Sequence, residues 1–246
     1  MTLPRIAGTD EWRTARIELL VAEKAMTKAR DALSTQRRML PMVRVEKEYE
    51  FEGPGGSVGL RDLFEGRTQL IVQHFMFDPG WDDGCPSCTA ATDELSDGLL
   101  RHLYARDTSF AIVSRAPLDK LEVYRHKRGW NYAWYSSNSS DFNYDFHVSI
   151  DATVAPVEFN FRGPDELRAS GMEWLLEQPS EQPGYSTFID VGGDVFHTNS
   201  VYGRGTEWLG GSYAFLDLTA LGRQEDWEEP KGRSENVRGA VPDFST

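Results

Sequence analysis

Two cysteines stand three residues apart, in the segment Cys85-Pro86-Ser87-Cys88. Thiols at this spacing take part either in thiol–disulfide exchange or in metal binding. A structural zinc site needs about four nitrogen or sulfur ligands, usually from two such pairs. This chain has no further cysteine and has five histidines. The spacing therefore favours redox chemistry, with no metal or other cofactor predicted.

The cysteine pair is expected at the start of a helix that follows a central strand. The segment Gln69–Phe77 is apolar on both faces, which is typical of a strand covered on each side. A polar loop, Asp78–Gly84, comes next, and Thr89–Ala105 has the apolar spacing of a helix. Pro86 suits the first helical position because it has no N–H group to leave unbonded.

This position assigns a different role to each thiol. The free amides and the positive end of the helix dipole at a helix N-terminus stabilise a thiolate. Cys85 is therefore the predicted attacking thiolate, and Cys88, one turn further on the same face, is the predicted resolving thiol. Asp82 and Asp83 bring negative charge close to Cys85, which raises the pKa of its thiol and makes the expected activation mild.

Three further residues are candidates for chemistry, and each also has a plainer explanation. His74 interrupts the apolar central strand, either as a hydrogen-bonded core residue or as a proton acceptor that takes the proton of Cys88. His197 lies near the end of a predicted hairpin strand and is treated as structural. Arg204 stands between two glycines, which expose it either for an anionic group or a carbonyl, or for a surface ion pair.

The rest of the chain supplies the elements that must hold this site. A pattern of strand, crossover helix, strand and helix is typical of a right-handed βαβ unit with a parallel core. Apolar periodicity and Gly or Pro boundaries predict these further elements: a helix over Asp10–Arg38, a half-buried strand over Val43–Phe51, a helical turn over Leu60–Phe64, a strand over Ser109–Ser114, a helix over Pro117–Arg128, a hairpin of Tyr185–Val191 with Asp194–Asn199, and a final helix over Arg204–Ala214.

These elements predict one α/β domain with additions at both ends. Residues 1–42 form an N-terminal helical extension, whose apolar stripe is expected to cover the domain or to join two copies of the chain as a homodimer. Residues 43–222 form the main domain, with an aromatic-rich insertion at about 130–165. Residues 223–246 are polar and punctuated by Pro and Gly, which predicts a mobile or surface-bound tail.

Composition argues against several classes of partner. The net charge is −13, which disfavours binding to nucleic acid and to anionic membrane surfaces. No apolar stretch approaches the roughly 20 residues that cross a bilayer. The N-terminus lacks the apolar region of a secretory signal, so a cytoplasmic location is expected. A protein disulfide, a small thiol or a peroxide is the expected substrate.

Several segments together resemble a known family. They are QLIVQHFMFDPGWDDGCPSC, RDTSFAIVSRAPLDKLE, RGWNYAWYSSNSSDFNYDF, VFHTNSVYGRGTEWL, RRMLPMVRVEKEYEF and LDLTALGRQE. From roughly Trp12 to Glu225 the chain resembles the thioredoxin-like family known as domain of unknown function 899, DUF899. The resemblance implies a thioredoxin-like α/β fold, with a central mixed sheet flanked by helices and with Cys85 and Cys88 in the place of the redox pair. It implies no established substrate.

The resemblance also implies roles for residues around the pair. Thioredoxins place a cis-proline before the closing hairpin, facing the cysteines, and Pro183, two residues before Tyr185, is the nearest candidate. They carry a buried carboxylate in the strand before the pair, a position that His74 takes here by strand alignment. The nearest tryptophan, Trp81, lies four positions before Cys85 in a longer loop. The predicted substrate contacts are Trp81, Pro183, Tyr185 and Arg204.

Three functional hypotheses follow from these observations. The leading one is a dithiol oxidoreductase or a thioredoxin-fold peroxidase that uses Cys85 and Cys88. The second is a thioredoxin-fold module that binds a ligand or a protein, with its aromatic insertion as a cleft and its cysteines incidental. The third is a metal-binding variant in which His74 or His197 completes a site with the cysteine pair.

Overall fold

The structure is a computed structural model, and it describes residues 3–177, 179–209 and 211–232. Within these residues the strands are β1 (Val43–Arg44), β2 (Glu50–Gly53), β3 (Gly56–Gly59), β4 (Gln69–His74), β5 (Thr108–Ser114), β6 (Trp134–Ser136), β7 (Ser149–Ile150), β8 (Ser180–Glu181), β9 (Gly184–Val191) and β10 (Asp194–Tyr202). The α-helices are α1 (Thr9–Arg38), α2 (Pro86–Asp93), α3 (Asp97–Tyr104), α4 (Leu118–Arg128), α5 (Phe142–Asp145), α6 (Pro164–Ala169) and α7 (Gly211–Leu216). Short 3-10 helices cover Leu60–Phe64, Glu173–Leu176 and Gly203–Leu209.

β4 is a central strand of the main sheet. In the described part of the chain this sheet has eight strands, in the order β1-β10-β9-β4-β5-β6-β2-β3. β4 pairs in parallel with β5, and β5 pairs in parallel with β6. On its other side β4 pairs antiparallel with β9, which forms a hairpin with β10. The parallel βαβ unit and the antiparallel closing hairpin, on one mixed sheet flanked by helices, confirm the predicted thioredoxin-like α/β fold.

Side chains alternate along β4 between two cores. Leu70 and Val72 are fully buried in one cluster, together with Phe188 of β9. Gln73 points the other way, because its Nε2 donates to Thr92 Oγ1 in α2 over 3.1 Å. We call the side of the sheet that faces α2 the cysteine face, and the other side the opposite face.

The predicted N-terminal helix is confirmed. The predicted helix covers Asp10–Arg38, and α1 covers Thr9–Arg38. The chain forms two compact units, of which Met42–Ala214 is one, while α1 and the described residues after Ala214 belong to the other. The division of the sequence after residues 42 and 222 stays a prediction, as does the homodimer. Of the predicted tail, residues 233–246 lie outside the described residues.

Two predicted elements are each split in two. The single strand predicted over Val43–Phe51 is wrong: β1 pairs with β10, whereas β2 pairs with β3 and β6 towards the other edge of the sheet. The helix predicted over Thr89–Ala105 is two helices, α2 and α3. The second one has its own N-cap, since Ser96 Oγ accepts the amide of Leu99 over 3.1 Å.

The aromatic run after α4 contributes to the main sheet. Trp134 in β6 is fully buried, and β6 continues the parallel pairing beyond β5. The final helix predicted over Arg204–Ala214 is instead the 3-10 helix Gly203–Leu209 followed by α7. The helical turn at Leu60–Phe64 and the β9–β10 hairpin are confirmed. None of the helices that the structure describes is long and apolar enough to cross a bilayer.

Candidate active site

The cysteine pair opens α2. Cys85 is the N-cap residue of this helix and Pro86 is its first residue, where the missing N–H group of proline costs no helical hydrogen bond. The amide of Cys85 donates to the carbonyl of Met76 over 3.0 Å, which closes the loop Asp78–Gly84 against the chain that leaves β4. The amide of Thr89 donates to the carbonyl of Cys85 over 2.9 Å and completes the first helical turn.

Gly84 lets the chain pass close to an aromatic ring just before Cys85. A Cβ atom at this position would lie 2.6 Å from Phe75 Cε1 and 3.3 Å from Tyr124 Cε1. Either the loop or the ring would have to move to admit it. Tyr124 also supports the helix, because its hydroxyl hydrogen-bonds Thr89 Oγ1 over 2.9 Å. The Thr89 hydroxyl in turn donates to the Cys85 carbonyl over 2.8 Å.

Two lysines of α4 hold the loop between β4 and α2. Lys120 Nζ donates to the carbonyls of Pro79 and Trp81, each over 2.7 Å. Lys127 Nζ pairs with the Asp83 carboxylate over 2.7 Å, with both side chains more than half exposed. An exposed pair of this kind contributes little stability. The backbone contacts of Lys120 are therefore the firmer attachment of the loop to α4.

The two thiols have different environments and different pKa values. Both are free; Cys85 is partly exposed, whereas Cys88 is only 6% exposed. The pKa of Cys85 is lowered to about 6, mainly by a hydrogen bond from the Cys88 thiol and further by the backbone amides of Cys88 and Ser87. Burial raises this pKa but is outweighed. The start of α2 therefore holds Cys85 as a thiolate near neutral pH.

Cys88 is the thiol that keeps its proton. The hydrogen bond to Cys85, its burial and the charge of the Cys85 thiolate all raise the pKa of Cys88. The predicted effect of Asp82 and Asp83 on Cys85 is not among the causes of its pKa, which are the Cys88 thiol, burial and the amides; Lys127 pairs with Asp83. An accessible thiolate beside a buried thiol is the arrangement that attack and resolution require.

His74 lies on the opposite face of β4 from the cysteines. Its ring stacks on Phe146, with centroids 6.0 Å apart, and lies 5.6 Å from Phe142. On the cysteine face the neighbouring residue, Gln73, makes the contact with α2. Because successive side chains of a strand point to opposite faces, the predicted transfer of the Cys88 proton to His74 has no supporting contact among the described residues. His74 is instead a hydrogen-bonded core residue, the plainer of its two explanations.

His74 begins a chain of four polar side chains. Its Nε2 hydrogen-bonds Ser186 Oγ over 2.7 Å, Ser186 Oγ bonds Ser200 Oγ over 2.7 Å, and Ser200 Oγ bonds His197 Nε2 over 2.8 Å. Burial, and then the proximity of His197, lower the pKa of His74 to about 3. Its Nδ1 has no hydrogen-bond partner among the described residues. His74 is therefore uncharged at neutral pH.

Tyr185 is the predicted substrate contact that the structure brings to the cysteine face. It stands opposite Gln73 in the pairing of β9 with β4, and its ring lies 6.4 Å from that of Phe110. Burial, and then the charge on Cys88, raise the pKa of Tyr185. The phenol of Tyr185 therefore keeps its proton at neutral pH.

The other predicted substrate contacts lie at separate places. Pro183 precedes β9, but the cis peptide bond of the described residues is the one before Pro230, so Pro183 is not the cis-proline of the thioredoxin pattern. Trp81 is 36% exposed on the loop before α2. Arg204 lies in the 3-10 helix after β10, and its guanidinium pairs with Glu207 over 3.0 Å as a surface ion pair.

The described residues offer the cysteine pair no completed metal site. No group of three or more His, Cys, Asp or Glu side chains in residues 3–177, 179–209 and 211–232 is placed to hold a metal ion. His74 and His197, the histidines predicted for this alternative, are both bonded to serines. Two sulfurs alone fall short of the about four ligands of structural zinc.

Three residues that support the site were not found from the sequence. Tyr124 and Thr89 link α4 to the carbonyl of Cys85, and Gln73 links β4 to α2. Gln73 does carry a signal in the sequence, because it is a polar residue in an apolar strand, as His74 is. Tyr124 carried no signal, because an aromatic residue on an amphipathic helix is ordinary core material.

The fold and the site define a thioredoxin-like protein with a free Cys-Pro-Ser-Cys pair at the start of a helix. The chain belongs to the family described as bacterial protein of unknown function, DUF899, whose model matches residues 1–239. This match confirms the family resemblance of the sequence. None of the curated proteins matches the chain.

Three solved structures that are similar to this chain have TM-scores below 0.5. Xylella fastidiosa PrxQ gives a TM-score of 0.42 at 13% identity, over 65% of this chain and 85% of its own. Peroxidoxin BcpB from Mycobacterium tuberculosis gives 0.42 at 16% identity, over 66% and 84%. BsSco, of the Sco family of cytochrome c oxidase assembly proteins, gives a TM-score of 0.37 at 16% identity, over 68% and 86%.

Proposed function

We propose that this chain is a thiol–disulfide oxidoreductase that uses Cys85 and Cys88. The Cys85 thiolate attacks one sulfur of a substrate disulfide, forms a mixed disulfide and releases the other substrate sulfur as a thiolate, which takes up a proton. Cys88 then gives up its proton to solvent and attacks Cys85 Sγ. The Cys85–Cys88 disulfide forms and the second substrate thiol leaves. The substrate gains two electrons and the cysteine pair loses two.

The observation that carries this proposal is the position of the free Cys85 thiol at the N-cap of α2, with the Cys88 thiol one turn further on, an arrangement that lowers the pKa of Cys85. The thiolate is the attacking form, and a thiol whose pKa lies near the ambient pH attacks fastest. With a pKa of about 6, Cys85 is mostly thiolate at neutral pH. The main cause of this pKa is the hydrogen bond from Cys88, so the proposed resolving thiol also activates the attacking one.

The substrate is proposed to approach the exposed side of Cys85. Trp81 stands on the adjoining loop and Tyr185 lies on the cysteine face, so these two side chains are the proposed contacts. The roles of Pro183 and Arg204 as substrate contacts stay predictions. The cytoplasm is the proposed location, because a reducing compartment returns the oxidised pair to the dithiol.

Insulin reduction driven by dithiothreitol tests the proposal. We expect the wild-type protein to accelerate the precipitation of insulin chains and Cys85→Ser to abolish the acceleration. Cys88→Ser is the matched variant, because it keeps the attacking thiol and is expected to accumulate the mixed disulfide as a stable adduct. Equal rates for wild type and Cys85→Ser would overturn the proposal.

A peroxide is the second substrate class that the same pair accepts in chemical terms. The Cys85 thiolate would attack the O–O bond, giving a sulfenic acid and, after protonation, an alcohol or water. Cys88 would then condense with the sulfenic acid, forming the disulfide and releasing water. The closeness of Cys88 to Cys85 favours this second step. Consumption of hydrogen peroxide that exceeds insulin reduction, and that needs Cys85, would assign a peroxidase.

The two remaining hypotheses make different predictions for the same protein. A binding module with incidental cysteines requires Cys85 to titrate near its unperturbed pKa of about 8.5, with ligand binding retained in Cys85→Ser. A metal-binding variant requires purified protein to carry a metal that Cys85→Ser loses. Iodoacetamide titration and elemental analysis separate these results from the proposed redox activity.

A further inference from the structure

Arg115, the residue that follows β5, binds three separate parts of the chain with one guanidinium group. Its Nη2 pairs with Asp78 over 2.5 Å, and its Nε pairs with Glu181 over 2.8 Å. Its Nη1 donates to the hydroxyl of Tyr144 over 2.5 Å. The Arg115 side chain is 20% exposed and that of Glu181 is 2% exposed. A planar guanidinium with matched partners on every side has a fixed position.

Asp78 is the first residue of the loop that leads to Cys85. One carboxylate oxygen, Oδ2, receives Arg115, and the other, Oδ1, accepts the amide of Gly80 over 2.7 Å. The carbonyl of Asp78 accepts the amide of Trp81 over 3.0 Å. The Asp78 carboxylate therefore shapes a turn and attaches that turn to Arg115 at the same time.

On its other side Arg115 connects the loop to α5 and to the β7–β8 pair. Tyr144 belongs to α5, and Glu181 of β8 also accepts a hydrogen bond from Ser149 Oγ of β7, 2.8 Å from either carboxylate oxygen. Burial raises the pKa of Glu181 to about 7, and Arg115 opposes this rise, so the Glu181 carboxyl group would have to take up a proton or stay charged without its cation if Arg115 turned away. The loop before Cys85 is therefore attached, through Arg115, to the buried side chain of Glu181 in the β7–β8 pair.

We propose that Arg115 is a positioning residue for the cysteine pair, an inference that rests on the proposed function. It acts through Asp78 and not on either sulfur. By holding Asp78 it fixes the turn 78–81 and thereby the direction in which the backbone enters α2. The amide hydrogen bonds to the Cys85 sulfur depend on that direction, so a loosened turn makes the thiolate less stable and slows its attack.

A double-mutant cycle on Arg115 and Asp78 tests the inference. The variants are Arg115→Met, Asp78→Asn and their combination; Asp78→Asn keeps an oxygen for the Gly80 amide and removes the charge that Arg115 binds. The readouts are the pH midpoint of Cys85 alkylation by iodoacetamide, and kcat and KM for insulin reduction. Each single variant is expected to raise the midpoint by roughly one unit and to lower kcat about tenfold. The double variant is expected to go no further than Arg115→Met, because the contact between Arg115 and Asp78 is the one through which both changes reach Cys85.

The matched control is Arg44→Met. Arg44 pairs with Asp194 over 2.6 Å at the surface, and we expect its loss to leave the midpoint and kcat at their wild-type values. Urea unfolding measures the stability of each variant separately. If Arg115 is merely structural, Arg115→Met lowers stability and leaves the midpoint of the folded protein unchanged, which overturns the inference. Fully additive effects in the double variant overturn it as well.

A substitute pair of variants covers the case in which Arg115→Met does not fold. Should Arg115→Met fail to fold, Asp78→Asn and Arg115→Lys are compared instead, and an unchanged alkylation midpoint in both overturns the inference. The alkylation midpoint also separates this inference from the proposed function. Insulin reduction that persists in Cys85→Ser would end the proposed function, whereas the midpoint would still decide whether Arg115 positions Cys85.

Discussion

Gln73 and Thr92 are joined by a hydrogen bond of 3.1 Å, from Nε2 to Oγ1, between β4 and the last turn of α2. Both side chains are buried. At the other end of the same helix, the amide of Cys85 donates to the carbonyl of Met76 in the chain that leaves β4. The helix that carries both thiols is therefore attached to the central strand and its continuation at its beginning and at its end.

Alkylation of Cys85 is expected to titrate with a midpoint near pH 6, fast above it and slow below it. Cys88→Ala removes the thiol hydrogen bond that is the largest cause of the lowered pKa, so the midpoint is expected to move up towards about 8.5. Iodoacetamide kinetics over a range of pH measure both values. A midpoint that stays near 6 in Cys88→Ala would show that Cys88 does not activate Cys85.

Gly84→Ala is expected to lower the free energy of unfolding by about 1–3 kcal/mol, because the added Cβ would lie 2.6 Å from the Phe75 ring. The same change is expected to slow alkylation of Cys85, which follows directly in the chain. Gly55→Ala is the control, since a Cβ at Gly55 would meet no atom within 4 Å. Urea unfolding of the two variants gives the comparison, and similar losses in both would contradict the explanation.

The stability of the protein is expected to depend on pH through His74. Its pKa of about 3 in the folded state lies below the ordinary 6.5, so protonation favours unfolding. The contribution is complete above pH 6.5 and is lost as the pH falls towards 3. His74→Gln removes the titrating ring and keeps a polar group near Ser186. Urea unfolding at several pH values should show a shallower dependence, and identical slopes would refute the assignment.

The predicted homodimer makes a separate prediction about α1. Its apolar stripe includes Trp12, Leu19, Met26 and Leu33, each between 46% and 65% exposed. We expect wild-type protein to have the molar mass of a dimer by light scattering, and Leu19→Glu with Met26→Glu to have that of a monomer. Lys28→Glu changes charge away from the stripe and should leave the mass unaltered. A monomeric wild type would remove the prediction.

Local signals were sufficient for the elements closest to the cysteines. A segment that is apolar on both faces is typical of a strand covered on each side, and β4 is such a strand. Pro86 indicates the start of α2, and two glycines indicate the turn of the β9–β10 hairpin. These features are set by residues within a few positions of each other. The family resemblance added the central mixed sheet flanked by helices, and the strand pairing confirms it.

Non-local contacts were out of reach of the same patterns. The segment Val43–Phe51 alternates like one strand, but its two ends pair with strands at different places in the sheet. The sequence shows that Gln73 and His74 point to opposite faces, yet only packing decides which face α2 covers. Arg115 binds partners that are 37 and 66 positions away in the sequence, and the periodicity of apolar residues does not predict contacts between positions so far apart.

The polar chain behind β4 has a consequence for where its hydrogens sit. Three hydrogen bonds join His74, Ser186, Ser200 and His197, but the two hydroxyl groups supply only two hydrogens, so at least one imidazole must donate from Nε2. The lone Nδ1 of His74 is less costly as a bare lone pair than as a donor without an acceptor. That preference selects the Nε2–H tautomer of His74. The Ser186 hydroxyl then donates to Ser200 Oγ, and the Ser200 hydroxyl donates to the unprotonated Nε2 of His197.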